Sequence, residues 1–191
     1  MELKNKDRRV RKTKKSLKDG LAKLMLEKSM NDISVKELTE YVDLNRGTFY
    51  LHYKDIFDMV EQVENEMLQE LKTVMNSHST KEINCKPLPL LEDAFIFLKE
   101  NAPMCTVLLS TNGDIAFVKK LKDVVREKCF KDWMILFNVE KADKFEYVYS
   151  FILSGCLGLF ESWLKDGLNE PPKEMAKLAE DIILHGIEII K

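Results

Sequence analysis

Residues 45–60 read NRGTFYLHYKDIFDMV, and this stretch decides the fold. Asn45 is a good helix cap, so a short helix is predicted to begin at Arg46-Gly47-Thr48-Phe49-Tyr50. Working backwards, Asp43-Leu44-Asn45 breaks the preceding helix. That helix has its own start signal in Ser34-Val35-Lys36-Glu37. The Ser34 hydroxyl can accept from the Glu37 N–H, and Glu37 can reach back to the Ser34 N–H. Ile33 and Leu38 form the matching hydrophobic staple. The second helix is therefore expected over 35–42. Further upstream, Val10, Leu17, Leu21, Leu24 and Met25 recur at helical spacing and predict a first helix over 7–28, followed by a polar loop at Ser29-Met30-Asn31-Asp32. Downstream, Ile56, Val60, Val63, Met67, Leu71 and Val74 predict a longer helix opened by Lys54-Asp55.

Two short helices joined by a tight turn, with longer helices before and after, describe a helix-turn-helix. Such a module needs an apolar cluster to fix its crossing, and Leu38, Val42, Leu44, Phe49 and Tyr53 suit that role. It needs outward polar residues at the start of the second short helix, here Asn45, Arg46 and Thr48. It needs phosphate contacts beside the groove. Ser34, Lys36, Thr48, Tyr50, His52 and Lys54 are the candidates. It also needs doubling, because one short helix reads few bases.

The charge distribution agrees. Of 191 residues, the first 57 carry 14 Lys/Arg against 9 Asp/Glu, a net of +5, while the remainder carries a net of −7. A basic head on an acidic body is suited to a polyanion; a solvated N-terminal tail would leave the same count. Apolar residues make up 45% and charged residues 32%, which excludes a disordered or fibrous chain. Seven Gly and five Pro are too few for the turns of a sandwich or barrel. The most apolar stretch, FILSGCLGLF at 151–160, falls short of the roughly 20 residues that span a bilayer, so no membrane segment is expected. No apolar run and cleavage site follow the basic N-terminus, so no signal peptide is expected. Cys85, Cys105, Cys129 and Cys156 form no CxxC pair, and His52, His78 and His185 do not cluster near them. No metal site is expected, and lone thiols suit a reducing cytoplasm.

Beyond the polar 78–86 stretch, helices are expected over 89–100, 104–109, 114–137, 143–164 and 172–190. The fold class is therefore all-α with about nine helices. An N-terminal three-helix DNA-binding domain (1–55) is expected ahead of a second, wholly helical domain (56–191), the place for any regulatory and dimerisation role. Gly155 and Gly158 remove side chains and invite close helix approach. In the last helix Met175, Leu178, Ala179, Ile182, Ile183, Gly186, Ile187 and Ile190 make a stripe too wide for one partner. That stripe points to a dimer interface or to a fully buried core helix.

The run Gly47-Thr48-Phe49-Tyr50-Leu51-His52-Tyr53-Lys54-Asp55 strongly resembles the recognition segment of the TetR family of bacterial regulators. Residues 8–60 follow that family in detail, with Tyr53 in place of the usual Phe and Asp43-Leu44-Asn45 in place of the usual Ala-Gly-Val-Ser turn. Residues 150–158, 163–167 and 172–176 are similar to the last two helices of a small Gram-positive branch. The resemblance implies that Ser34, Thr48, Tyr50, His52 and Lys54 touch phosphates, and that Asn45, Arg46 and Gly47 approach bases. Arg46 could equally clamp a phosphate. It further implies a homodimer through the last two helices, with Gly155, Gly158, Ile182, Ile183 and Ile187 at the interface. An effector pocket would lie among the middle helices, lined by Phe95, Met104, Phe117, Trp133, Phe137, Tyr147 and Phe151, each of which would serve as plain core too. The expected function is a DNA-binding repressor of near-palindromic operators, released by a small apolar effector. The alternative is a co-activator working through a partner protein. No nucleophile set, metal spacing or phosphate-cradling loop suggests an enzyme, and no cofactor is expected.

Overall fold

A computed structural model describes residues 2–78, 88–108, 115–136 and 144–186. Among the described residues there are nine α-helices and no strand. They are α1 (Glu2–Glu27), α2 (Val35–Tyr41), α3 (Arg46–Tyr50), α4 (Ile56–Asn76), α5 (Leu88–Glu100), α6 (Ala102–Leu108), α7 (Ile115–Leu136), α8 (Phe145–Lys165) and α9 (Pro172–His185). The polar loop after α1 is a single 3-10 turn, Met30–Asp32, capped by the Ser29 side chain.

The chain divides into two compact units. The first takes in the described residues of Met1–Met67 and Pro103–Val118, and the second those of Leu68–Ala102 and Lys119–Lys191. The division falls inside α4.

In the first unit, Leu17, Leu21 and Ala22 of α1 are fully buried, as are Leu38 of α2, Phe49 of α3 and Met59 of α4. The α1–α2 crossing depends on Gly20. A Cβ there would run into Val42 Cγ1 and lie 3.3 Å from Leu38 Cδ1. α2 ends in a Schellman motif: the Asp43 N–H donates to Glu40 O (3.3 Å) and the Leu44 N–H to Thr39 O (2.8 Å). Asp43 holds the left-handed position of that motif, φ 52°.

In the second unit, α5 packs along α9, and α9 against α8. The Leu88 N–H donates to Glu180 Oε1 (3.0 Å), so the start of α5 is capped by α9. Phe95 and Trp163, each 1% exposed, meet edge to face at 5.8 Å. α8 closes with the same motif as α2, through Gly167 N–H to Leu164 O (3.0 Å) and Leu168 N–H to Trp163 O (2.9 Å), with Gly167 at φ 82°. Gly186, at φ 65°, is the C-cap of α9 after His185; the rest of the expected 172–190 helix, from 187 on, lies outside the described residues.

Among the described residues one helix, α8, reaches the length and apolar composition of a membrane-crossing segment, which a packed helix of a globular protein reaches too. Its 21 residues are long and apolar enough by length and composition, and only 17% of the apolar window is buried within the chain. Cys85 lies outside the described residues; the other three are thiols. Cys105 is buried, and burial pushes Cys129 up to about 12 and Cys156 up to about 11, so both remain protonated thiols.

Candidate nucleic-acid interface

α3 has five residues, too few to be stable by itself. It is held by a cap and by one aromatic anchor. Asn45 Oδ1 accepts from the Gly47 N–H at 2.7 Å, and Asn45 O accepts from the Thr48 N–H at 2.8 Å. Phe49 is fully buried, and Tyr53, 3% exposed, packs beside it with ring centroids 5.6 Å apart. The anchored side of α3 thereby turns the opposite face outward. Arg46 and Gly47 are exposed, Thr48 is half-buried, and Tyr50 is 57% exposed with its ring edge-on to Phe49. The Asn45 cap limits what Asn45 can read. One lone pair of its carbonyl is committed to Gly47, so a two-bond contact with an adenine edge is disfavoured. Arg46 carries no such commitment.

α2 brings the flanking contacts. Ser34 Oγ accepts from the Glu37 N–H at 3.2 Å, which is the expected half of the capping box, and its own hydroxyl proton stays available to a phosphate. The Glu37 carboxylate is engaged by Lys28, just past the end of α1. Lys36 is exposed and lies 3.9 Å from Glu40, a weak pair that leaves the ammonium usable. His52 is half-buried, its ring 6.2 Å from Tyr53, and Lys54 is exposed.

The junction into α4 carries a device the sequence reading missed. Asp55 Oδ1 accepts from the Asp58 N–H (2.8 Å), while Asp58 Oδ2 accepts from the Lys54 N–H (2.8 Å). The spacing Asp55-x-x-Asp58 was its signal. The Lys54 N–H, then the Gln62 amide, hold the Asp58 carboxyl below its ordinary value of 3.8. A second missed contact is Lys14. It pairs with Glu66 at 3.0 Å and lies 5.6 Å from the Tyr53 ring, tying α1 to the α3–α4 junction. Burial first, then Glu66 and Asp58, push the Tyr53 phenol up to about 12, so it stays neutral.

The remaining expected residues fall into separate places. On α8, Tyr147 (78% exposed) and Phe151 (76%) stand on the outward face instead of lining an enclosed pocket. They are one helical turn apart and lead to Gly155 and Gly158, both exposed, where an added Cβ would meet nothing in the same chain. Ile182 and Ile183 of α9 are half-buried. Phe95 is buried in the second unit, and Met104 and Phe117 are buried in the first. The side chain of Trp133, and all of Phe137 and Ile187, lie outside the described residues.

A family model described as a transcriptional regulator C-terminal region, TetR_C_8, matches residues 85–185. The chain belongs to the TetR family of transcriptional regulators. Over 115 residues it is 26% identical to the uncharacterized HTH-type transcriptional regulator YxbF of Bacillus subtilis (strain 168), covering 58% of this chain and 29% of that protein. The chain thus spans less than a third of the length of that relative. Among solved structures it is similar to the SmeT–triclosan complex, with TM-score 0.59 and 15% identity over 90% of each chain. SmeT is the repressor of the Stenotrophomonas maltophilia multidrug efflux pump SmeDEF. It is also similar to the dihydroxyacetone kinase operon activator DhaS, with TM-score 0.58 and 14% identity over 93% of this chain and 97% of that one. At these identities the structural likeness speaks for the fold: a helix-turn-helix head with a helical C-terminal region.

Proposed function

We propose that this TetR-family regulator is a cytoplasmic homodimeric repressor. In this reading it binds a near-palindromic operator in double-stranded DNA through residues 1–55, and leaves it when a small apolar effector binds within the helices of 56–191. The observation that carries the reading is the outward face of α3. Arg46 and Tyr50 are held exposed over a fully buried Phe49, between caps at Asn45 and Asp55. Arg46 reads a base, its guanidinium spanning guanine O6 and N7. Ser34, Lys36, Thr48, Tyr50, His52 and Lys54 hold phosphates, and Gly47 lets the DNA come close. The exposed basic residues Arg8, Arg9, Arg11 and Lys12 of α1 add a sequence-independent attraction that falls with salt.

The second copy docks on α8 and α9. Tyr147, Phe151, Gly155 and Gly158 supply one outward strip of α8, the half-buried Ile182 and Ile183 are the contribution of α9, and a partner chain would cover the apolar face of α8. The likeness to SmeT, solved with triclosan, supports the effector part of the reading. The likeness to DhaS, an operon activator, favours a second reading in which the same head serves activation through a partner protein.

Selection of bound DNA from a random pool with the full chain tests the proposal. A near-palindrome is expected, with half-sites about one helical turn apart. Arg46→Ala should relax preference at one position per half-site, by about 1–3 kcal/mol. Tyr50→Phe and Lys54→Ala should weaken every sequence alike. A pool with no enriched sequence rejects the reading. Release of the selected DNA by small apolar molecules supports the repressor, and release only by a protein partner supports the second reading.

A further inference from the structure

We infer that Leu51 reads a thymine methyl group in the operator. Leu51 is 79% exposed, more than any other large apolar side chain between residues 8 and 76. Isolated exposed leucines are common on protein surfaces, so its place carries the argument rather than its exposure. Leu51 is the C-cap of α3 and keeps right-handed helical geometry, φ −71° and ψ −17°. It therefore continues the α3 spiral and lies one turn beyond Gly47, on the same outward strip. Gly47 presents no side chain there, so a groove can approach that strip closely, and Leu51 is the first bulky group it would meet. On either side in sequence stand the exposed Tyr50 and, three residues on, Lys54. Those two can bond to phosphates. A leucine can neither donate nor accept, so on this face it can contribute only by covering apolar surface. The apolar group that the major groove offers is the thymine 5-methyl, which also distinguishes T from C. The inference rests on the DNA-binding reading above and adds a base preference to it.

The test uses the full chain and the operator selected from the random pool. Each thymine is replaced in turn by deoxyuridine, which deletes only the methyl group. Affinities are measured for the unsubstituted protein and for Leu51→Ala, whose unchanged melting temperature confirms an intact fold. At one thymine per half-site, deoxyuridine should weaken the unsubstituted protein about fourfold, the worth of one buried methyl-sized group. The same replacement should leave Leu51→Ala unaffected. Equal sensitivity of both proteins at every thymine overturns the inference, as does an operator with no preferred thymine. A loss in Leu51→Ala that is insensitive to deoxyuridine also overturns it, because Leu51 would then pack on sugar. In each of those cases an operator has still been enriched, so the DNA-binding reading survives. A pool without enrichment removes both.

Discussion

Phe49 and Phe151 are the same residue type, each inside a helix, and the regions around them are completed in different ways. Phe49 is fully buried within its own chain, while Phe151 is 76% exposed. Around Phe49, short helices are made stable by devices within the chain: the Ser34 and Asn45 caps, the paired Asp55 and Asp58, and the Schellman closure at Asp43. Around Phe151, α8 is long and shares only the Schellman closure, at Gly167, but it presents more apolar surface than its own chain covers. The head is complete in one copy, and in the proposed dimer the α8 strip is completed by a second.

The largest effect should separate the two phenylalanines. Phe49→Ala should lower unfolding free energy by about 3–5 kcal/mol, the usual cost of emptying a packed aromatic site. Phe151→Ala should leave a dilute monomer as stable as before, yet weaken the dimer, so the rise of melting temperature with protein concentration should shrink. Urea unfolding at two protein concentrations would decide, and a large loss of monomer stability in Phe151→Ala would break the comparison.

The glycines should divide the same way. Gly20→Ala should cost about 1–3 kcal/mol, because the new methyl meets Val42 and Leu38 across the α1–α2 crossing. Gly158→Leu meets open space in its own chain, so helicity should persist while sedimentation shifts towards monomer. An unchanged dimer would place the interface elsewhere.

A smaller pair of opposite sign lies in the two Schellman closures. Asp43→Gly should stabilise the head by about 1 kcal/mol, since glycine adopts the left-handed region without steric cost. Gly167→Ala at the matching position after α8 should destabilise by a similar amount, about 1 kcal/mol. Thermal melts of both variants check the signs.

The smallest effect concerns acid. Asp58 has its pKa lowered in the folded chain by the Lys54 N–H and Gln62. Its contribution is therefore present above the ordinary carboxylate value of 3.8 and is lost as pH falls through the lower folded value. Asp58→Asn should show a shallower fall in melting temperature over that acid range than the unsubstituted protein. An identical acid limb would mean that the carboxylate at the start of α4 has no such role.

Much of the head was legible because its signals are local. Ser34 and Asn45 cap the helices they were expected to cap, and Ile33, Leu38, Phe49 and Tyr53 are buried as the pattern required. The contacts that escaped notice join residues distant in sequence. Lys14 meets Glu66, Lys28 meets Glu37, and Gly20 makes room for Val42. Nothing in the spacing of one segment announces which residue of another it will touch. In the C-terminal region the helices themselves were legible to within a few residues, but Tyr147 and Phe151 were assigned to an interior from which the fold excludes them.

The amino-acid sequence alone determined the helices, their caps and the outward position of Asn45 and Arg46, because hydrogen bonds three or four residues apart and a 3.6-residue period settle those matters locally. Only the tertiary structure decided which apolar faces are covered. A helix with apolar residues on several sides looks the same in sequence whether its neighbour is its own chain or another. Burial depends on what packs against each face, and for α8 it left Tyr147 and Phe151 outside.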